Sequence, residues 1–256
     1  MQWPHLYSSR EIDDAFESGQ ILARILAELA RVVAPGVSLF DLEQLARDRT
    51  KMHGARPAFL GYRPDGAERS FPAALCTSLN DVIVHGVPAN YAVRSGDILK
   101  IDFGVVFNKF FADAAITIGV GQVSPDADRL IEATSNALSD AIREISPGKT
   151  LGDVGWAISE AARRYGVAVV GGLTGHGVGR ALHEDPPVFN WGKRGEGLEL
   201  RPGAIIAVEP MFSLGKSAIR QLKDESWATK DRSLAAHFEH TVAVTEKGCC
   251  VLTLLE

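Results

Sequence analysis

The chain has 256 residues, 46% hydrophobic and 23% charged, with a formal net charge of −5. This balance suits a globular protein of one large or two small domains and excludes a dedicated nucleic-acid surface built on bulk basic charge. Three cysteines (Cys76, Cys249 and Cys250) make no disulfide framework, and no apolar run approaches the roughly 18 residues of a membrane span, so a cytoplasmic protein away from the membrane is expected.

The chain opens on Met1-Gln2-Trp3-Pro4-His5, which lacks the basic-then-apolar pattern of a signal peptide. Ser8 and Glu11 make a capping box for a helix over 9–33. Its stripe of Ile12, Ala15, Phe16, Gly19, Leu22, Ala23, Leu26, Leu29, Ala30 and Val33 repeats with a helical period. Pro35-Gly36 stops it, and Ser38 caps a second helix, with Asp41 three residues on and Gly54 as its stop. Strand-like patterns follow at about 73–80, 98–107 and 109–120. Ser124-Pro125 opens a third helix that carries Leu130, Ile131, Thr134, Ala137, Leu138, Ala141, Ile142 and Ile145 on one face. Pro147-Gly148 ends it, and Thr150 caps a fourth, with Asp153 at the third position and Gly166 at the end. Strands at 167–171, 204–209 and 238–244 complete the pattern, while 223–232 reads as a solvated loop of mixed charge.

The punctuation repeats. Pro35/Pro147, Gly36/Gly148, Ser38/Thr150, Leu39/Leu151, Asp41/Asp153, Leu42/Val154 and Gly54/Gly166 all lie 112 residues apart. Seven pairs at one offset point to an internal duplication with a helix pair in each half. The expected fold is therefore α+β, one domain over 1–256 with halves of about 8–120 and 124–245. Antiparallel sheet would be covered on one face by helices, with a site in the cleft between the halves.

Seven residues sit where no helix or strand rule demands them: His85, Asp102, Asp113, His176, His183, Glu209 and Glu239. The carboxylates interrupt apolar runs such as Leu99-Lys100-Ile101-Asp102-Phe103 and Ile205-Ile206-Ala207-Val208-Glu209. Burying one bare carboxylate costs several kcal/mol. Lysine and arginine hardly occur beside them, which favours two divalent cations as counter-charge. A hairpin turning at Phe107-Asn108 sets Asp102 directly opposite Asp113, their Cβ atoms about 5 Å apart. A turn at Asn108-Lys109 makes them diagonal neighbours instead. A shared proton and a solvated sheet face are the alternatives to a metal. Gly175-His176-Gly177-Val178-Gly179-Arg180 and His183-Glu184-Asp185-Pro186-Pro187 form a Gly- and Pro-punctuated loop whose glycines let a substrate approach. Single histidines are more often structural, and single strand-end glutamates more often face water. His5, His53 and His240 are assigned to surface or local packing.

The segments from Ser78-Leu79-Asn80-Asp81 through His85-Gly86-Val87-Pro88, Gly96-Asp97 through Ile101-Asp102, Gly175-His176-Gly177 through His183-Glu184, Val208-Glu209-Pro210-Met211, and Thr229-Lys230-Asp231-Arg232-Ser233 through Glu239-His240-Thr241 resemble those of type I methionine aminopeptidases. The match runs from the first helix nearly to the C-terminus, in the family's motif order.

The resemblance implies the duplicated "pita-bread" fold and removal of the initiator methionine when the second residue is small. It implies two divalent metals drawn from Co, Mn, Fe(II) or Zn, among which cellular availability decides. Asp102 would chelate one metal, Asp113 and Glu239 would bridge both, and His176 with Glu209 would complete the other. A hydroxide between the metals would attack the carbonyl after methionine while the metals hold the α-amine. His85 and His183 would contact the scissile amide, and Glu209 would also shuttle protons. The methionine pocket maps onto Phe59, Tyr62, Cys76 and Trp227. A peptide or nascent-chain N-terminus is the expected partner, the ribosome a further one, and the protein a monomer.

The sequence also departs from the pattern. The stretch 63–72 is longer than usual at the pocket rim. His237 stands where a glutamine is common, near enough to Glu239 to disturb its surroundings. The N-terminal zinc-finger extension of type I enzymes and the helical insertion of type II enzymes have no counterpart. A proline-directed aminopeptidase or dipeptidase of the same fold is the competing enzyme reading. A non-catalytic binding protein is a different class, which the presence of all five ligands disfavours.

Overall fold

The helices carry the caps that their sequences specify. Helix α1 (Ser9–Val32) starts at Ser8, whose hydroxyl accepts from the Glu11 amide while the Glu11 carboxylate accepts from the Ser8 amide. Helix α2 (Leu39–Met52) starts at Ser38, α3 (Pro125–Arg143) at Ser124 with proline in its first turn, and α4 (Leu151–Tyr165) at Thr150. Asp153 closes a second capping box with Thr150, and Gly166 ends α4 in the left-handed region at φ +64°. Each such cap contributes about 1 kcal/mol by satisfying orphan amides.

The computed structural model describes residues 3–63 and 66–255. Met1, Gln2, Pro64, Asp65 and Glu256 lie outside the described residues, and with them the first residues of the N-terminal segment and part of the 63–72 stretch.

Among the described residues, fifteen strands follow in chain order: β1 (Arg56–Pro57), β2 (Leu75–Leu79), β3 (Val82–Val84), β4 (Ile98–Phe107), β5 (Phe110–Gly119), β6 (Ala168–Val169), β7 (Gly175–Gly177), β8 (Glu184–Val188), β9 (Ile205–Val208), β10 (Met211–Ser213), β11 (Ile219–Gln221), β12 (Trp227–Thr229), β13 (Ala235–His237), β14 (Glu239–Thr245) and β15 (Gly248–Val251). The main sheet runs β1-β4-β5-β14-β9-β7-β8, with β2 beside β4 and β15 beside β14. Two three-stranded sheets, β13-β10-β6 and β11-β12-β3, accompany it, and the ladders pair antiparallel.

Strand alternation separates a helix face from a site face. Leu99, Ile101, Phe103 and Val105 of β4 pack with Leu22, Ile25, Leu29 and Leu42 of α1 and α2. Ile206, Val208, Val242 and Val244 pack in the same way with Leu130, Ala137, Val154 and Ile158 of α3 and α4. The residues between them, Asp102 in β4 and Glu239 and Thr241 in β14, therefore project from the opposite face. Two buried clusters thus underlie the two helix pairs, and the carboxylates lie across the sheet from both.

The turn of the β4–β5 hairpin corrects one expectation. Asn108 and Lys109 occupy it at φ +46° and +70°, so Phe107 pairs with Phe110, Gly104 with Asp113, and Asp102 with Ala115. A tight hairpin turn of this kind needs positive φ at both central residues; asparagine tolerates that and phenylalanine does not. Asp102 and Asp113 are consequently diagonal neighbours, not a directly opposed pair.

Short strands are the other difference. The segment 183–187, expected as loop, contributes β8, and the 223–232 stretch contains β12, with Ser226, Ala228 and Thr229 buried. Three residues, or five interrupted by Pro186-Pro187, carry too little periodicity to announce a strand; tertiary pairing defines these. Among the described residues no helix is long and apolar enough to cross a membrane.

Candidate metal centre

Five side chains reach one cleft from five adjacent strands. In sheet order they are Asp102 from β4, Asp113 from β5, Glu239 from the first residue of β14, Glu209 from the residue after β9, and His176 from the middle of β7. Asp113, His176 and Glu239 each place one donor atom within 4.8 Å of the others. His176 Nε2 lies 3.6 Å from Glu209 Oε1 and 4.0 Å from Asp113 Oδ2.

All four carboxylates are buried, with Glu239 only 2% exposed. Asp102 Oδ1, Asp113 Oδ1 and Glu239 Oε1 are shielded from solvent and accept no hydrogen bond among the described residues. Burial raises the Asp113 carboxyl to about 7. Burial, with neighbouring negative charge, pushes Asp102, Glu209 and Glu239 well above the usual carboxylate range. Lys100 gives no relief, because its buried ammonium donates to the Asn80 carbonyl at 2.8 Å. Orphaned oxygens crowded around one imidazole are what a cation-binding site leaves when described by its protein atoms alone. The donor set of four carboxylates and one imidazole fits a divalent metal.

The backbone around these donors is tightly held. The Asp113 amide donates to Thr241 Oγ1 at 2.9 Å, and that hydroxyl donates back to the Asp113 carbonyl at 2.8 Å. Asn190 Nδ2 donates to the Glu209 carbonyl at 2.9 Å. His176 Nδ1 lies 2.9 Å from the Gly177 carbonyl, so Nδ1 carries the proton and Nε2 presents its lone pair to the carboxylates. Burial keeps this ring neutral, with its pKa lowered to about 4. A Cβ on Gly175 would meet the Ala207 carbonyl oxygen at 2.3 Å, and one on Gly177 the Asp185 oxygen at 2.4 Å. Close packing of β7 between β8 and β9 requires these two glycines.

His85 follows β3 at φ +61°, a conformation held by the Gly86 amide donating to Ser78 Oγ at 3.0 Å and by the Thr77 amide donating to the Gly86 carbonyl at 2.7 Å. His183 packs edge-on to His176 with ring centroids 4.4 Å apart, and Tyr62 Oη lies 2.6 Å from its Nδ1. Both rings are accessible through the cleft yet hemmed by protein, and desolvation lowers both pKa values, that of His183 to about 3.

The cleft, of about 650 Å³, is lined by the five donors together with His85, His183, Phe59, Tyr62, Cys76 and Trp227. Cys76 pairs with Asp102 across the β2–β4 ladder, and burial raises its thiol. Gly66, Ala67, Arg69, Ser70, Phe71 and Pro72 also line the cleft, so the described part of the 63–72 segment forms its rim. His237 is 1% exposed and turns to Glu209, its Nε2 3.4 Å from Glu209 Oε2. Burial lowers its pKa to about 3. His5 packs edge-on against Tyr7, and His240 Nδ1 lies 2.9 Å from Thr253 Oγ1, both local packing.

Sequence reading missed Thr241, Asn190 and the Lys100–Asn80 contact. Thr241 was within reach, because it shares a strand face with Glu239. Asn190 carried no signal, since its partner is a main-chain carbonyl 19 residues away. Asp231, within Thr229-Lys230-Asp231-Arg232-Ser233, closes a turn by accepting from the Lys216 amide at 2.8 Å and from the Ser233 amide at 3.1 Å.

The model of metallopeptidase family M24 matches residues 15–246. A methionine aminopeptidase of Aquifex aeolicus is 47% identical over 257 residues, covering 98% of each chain. Methionine aminopeptidase B of Synechocystis is 42% identical, covering 97% of this chain and 91% of its own. The crystal structure of methionine aminopeptidase from Rickettsia prowazekii superposes with a TM-score of 0.93 at 34% identity, covering 98% of this chain and 99% of that one.

Proposed function

Since the chain belongs to metallopeptidase family M24, as one of its type I methionine aminopeptidases with the pita-bread fold, we propose that it removes the initiator methionine from peptides and nascent proteins whose second residue is small. The observation that carries this reading is the convergence of four carboxylates and an imidazole, a donor set suited to divalent metal, with an apolar pocket in one cleft.

Asp102, Asp113, His176, Glu209 and Glu239 are the proposed ligands of two divalent ions, with Mn, Fe(II), Co and Zn as the candidates. Divalent metal, when bound, supplies Lewis acidity to the scissile carbonyl and to an attacking water. The rest falls to the chain's own groups. Phe59, Tyr62, Cys76 and Trp227 receive the methionine side chain, an unbranched and polarisable group suited to an apolar pocket. His85 and His183 face the scissile amide, as donors to its oxygen and as proton carriers to its nitrogen. Tyr62 at His183 Nδ1 leaves Nε2 for the substrate. Glu209, at the end of β9, moves the proton between nucleophile and leaving amine.

The whole chain, 1–256, is read as one catalytic domain with internal duplication (about 8–120 and 124–245). The common 112-residue offset and a separate core beneath each helix pair support this. We read it as a cytoplasmic monomer acting on chains at the ribosome. A net charge of −5 supports the absence of a nucleic-acid surface, and three cysteines offer no disulfide framework.

Metal analysis of rapidly purified protein, paired with assays on matched peptides, tests the function. Met-Gly-Xaa and Met-Ala-Ser peptides should lose one methionine, Met-Lys peptides should resist, and N-acetylated peptides should be inert. Efficient release of Leu or Ala would point to a broader aminopeptidase, and cleavage only before proline to the proline-directed alternative.

A further inference from the structure

We propose that His237 is a positioning residue that donates from Nε2–H to the outer oxygen of Glu209, turning the inner oxygen toward His176. The inference rests on the reading of Glu209 as a metal ligand.

Glu209 lies between two imidazoles, one at each oxygen. His176 Nε2 approaches Oε1 at 3.6 Å, and His237 Nε2 approaches Oε2 at 3.4 Å. The two rings stand in different relations to the carboxylate. His176 already has its Nδ1 on a backbone carbonyl. His237 is fully enclosed, and neither of its ring nitrogens has a satisfied hydrogen bond among the described residues. Leaving a buried polar group without a partner is costly, so this ring needs a function or a partner.

Its main chain is fixed on both sides. The His237 amide donates to Thr117 Oγ1 at 2.9 Å, and that hydroxyl donates to the His237 carbonyl at 2.6 Å. His237 also pairs with Met211 in the β10–β13 ladder, two residues beyond Glu209. The imidazole and the carboxylate are thus carried on adjoining backbone with no slack between them.

The tautomer follows from charge. With the proton on Nδ1, the Nε2 lone pair would face a carboxylate and the N–H would be buried without an acceptor. With the proton on Nε2, the N–H instead faces the carboxylate oxygen at 3.4 Å, where a modest approach makes a charge-assisted hydrogen bond, about twice as strong as a neutral one. Donors behind a metal ligand fix its orientation, and losing one typically costs about 10–100-fold in metal affinity.

The test titrates metal-free protein with Mn(II) by calorimetry, comparing wild type, His237→Leu, His237→Gln and Glu209→Gln. His237→Leu should weaken one Mn(II)-binding event about 10–100-fold without removing it. His237→Gln, whose amide can donate from a similar position, should recover most of that loss. Wild-type affinity in His237→Leu overturns the proposal, as does a His237→Gln variant no better than His237→Leu. Complete loss of a metal equivalent in His237→Leu overturns it too, by making His237 a ligand. Unchanged binding in Glu209→Gln removes the ligand reading itself, whereas loss there with none in His237→Leu overturns the positioning role alone. Independently of any variant's folding, two-bond ¹H–¹⁵N couplings in ¹⁵N-histidine wild type should report an Nε2–H tautomer for His237. An Nδ1–H tautomer overturns the proposal.

Discussion

Asp102 and Asp113 lie diagonally across the β4–β5 hairpin, Asp102 opposite Ala115 and Asp113 opposite Gly104. Diagonal pairs stand roughly 7–8 Å apart against about 5 Å for opposed ones. The offset places a residue without a side chain across from Asp113, and Phe59 of the proposed methionine pocket fills the space beside that glycine. One register therefore serves both the proposed metal centre and the proposed substrate wall.

Removing a donor shared by both proposed ions should dismantle the centre. Asp113→Ala or Glu239→Ala is expected to abolish turnover and lower bound metal, measured by elemental analysis after desalting. Chelator should inactivate the wild type, and Mn(II), Co(II) or Fe(II) should restore it. Metal at 100 times its Kd should stabilise the fold by about 2.7 kcal/mol, visible as a higher Tm. Full activity after exhaustive chelation would contradict the reading.

Metal uptake should expel protons. Asp113 is raised to about 7 and its three carboxylate neighbours are raised well above their ordinary values, so near neutral pH the metal-free cluster retains protons. Ligands bind metal deprotonated, while His176, already neutral, contributes no proton. Affinity should climb as pH rises through about 7. Calorimetry in buffers of different ionisation enthalpy should show net release at about pH 6.5, just below the raised Asp113 value, and zero release would mean that the carboxylates are ionised without metal.

His85→Ala and His183→Ala should each lower kcat by about 10²-fold or more while metal stoichiometry stays unchanged. Tyr62→Phe removes the hydroxyl at His183 Nδ1 and should give a smaller loss in the same direction. A missing metal equivalent in His183→Ala would place that ring among the ligands instead.

Gly104→Ala should damage the pocket from behind. Its new Cβ would meet Phe59 Cε1 at 2.8 Å and Ala58 Cβ at 2.9 Å. Overpacking of this kind costs about 1–3 kcal/mol. Displacement of Phe59 should raise KM for Met-Ala-Ser more than it lowers kcat. An unchanged KM with intact stability would separate Phe59 from substrate binding.

Helix punctuation was the most legible layer, because caps and stops are local chemistry: Ser8, Ser38, Ser124 and Thr150 each cap the helix they announce. The seven candidate polar residues were legible for a different reason, since carboxylates set in apolar strands contradict their surroundings. The hairpin register was not, as it turned on which residue accepts positive φ, and Asn108 with Lys109 does so where Phe107 would not. The short strands β7, β8 and β12 were also hidden, being defined by partners far away in sequence. His237 stood out by its identity alone; only the fold shows that it faces Glu209 and not its near neighbour Glu239.

The distribution of the five donors bears on how the molecule comes into being. Asp102 and Asp113 lie on one side of the α3 N-terminus in sequence, and His176, Glu209 and Glu239 on the other, while β5 and β14 become neighbours only in the finished sheet. A chain made from its N-terminus can complete the early hairpin and its helix pair well before the later strands exist. The proposed metal centre therefore needs β14 before it is complete, and a chain ending short of β14 lacks Glu239 and holds no complete donor set.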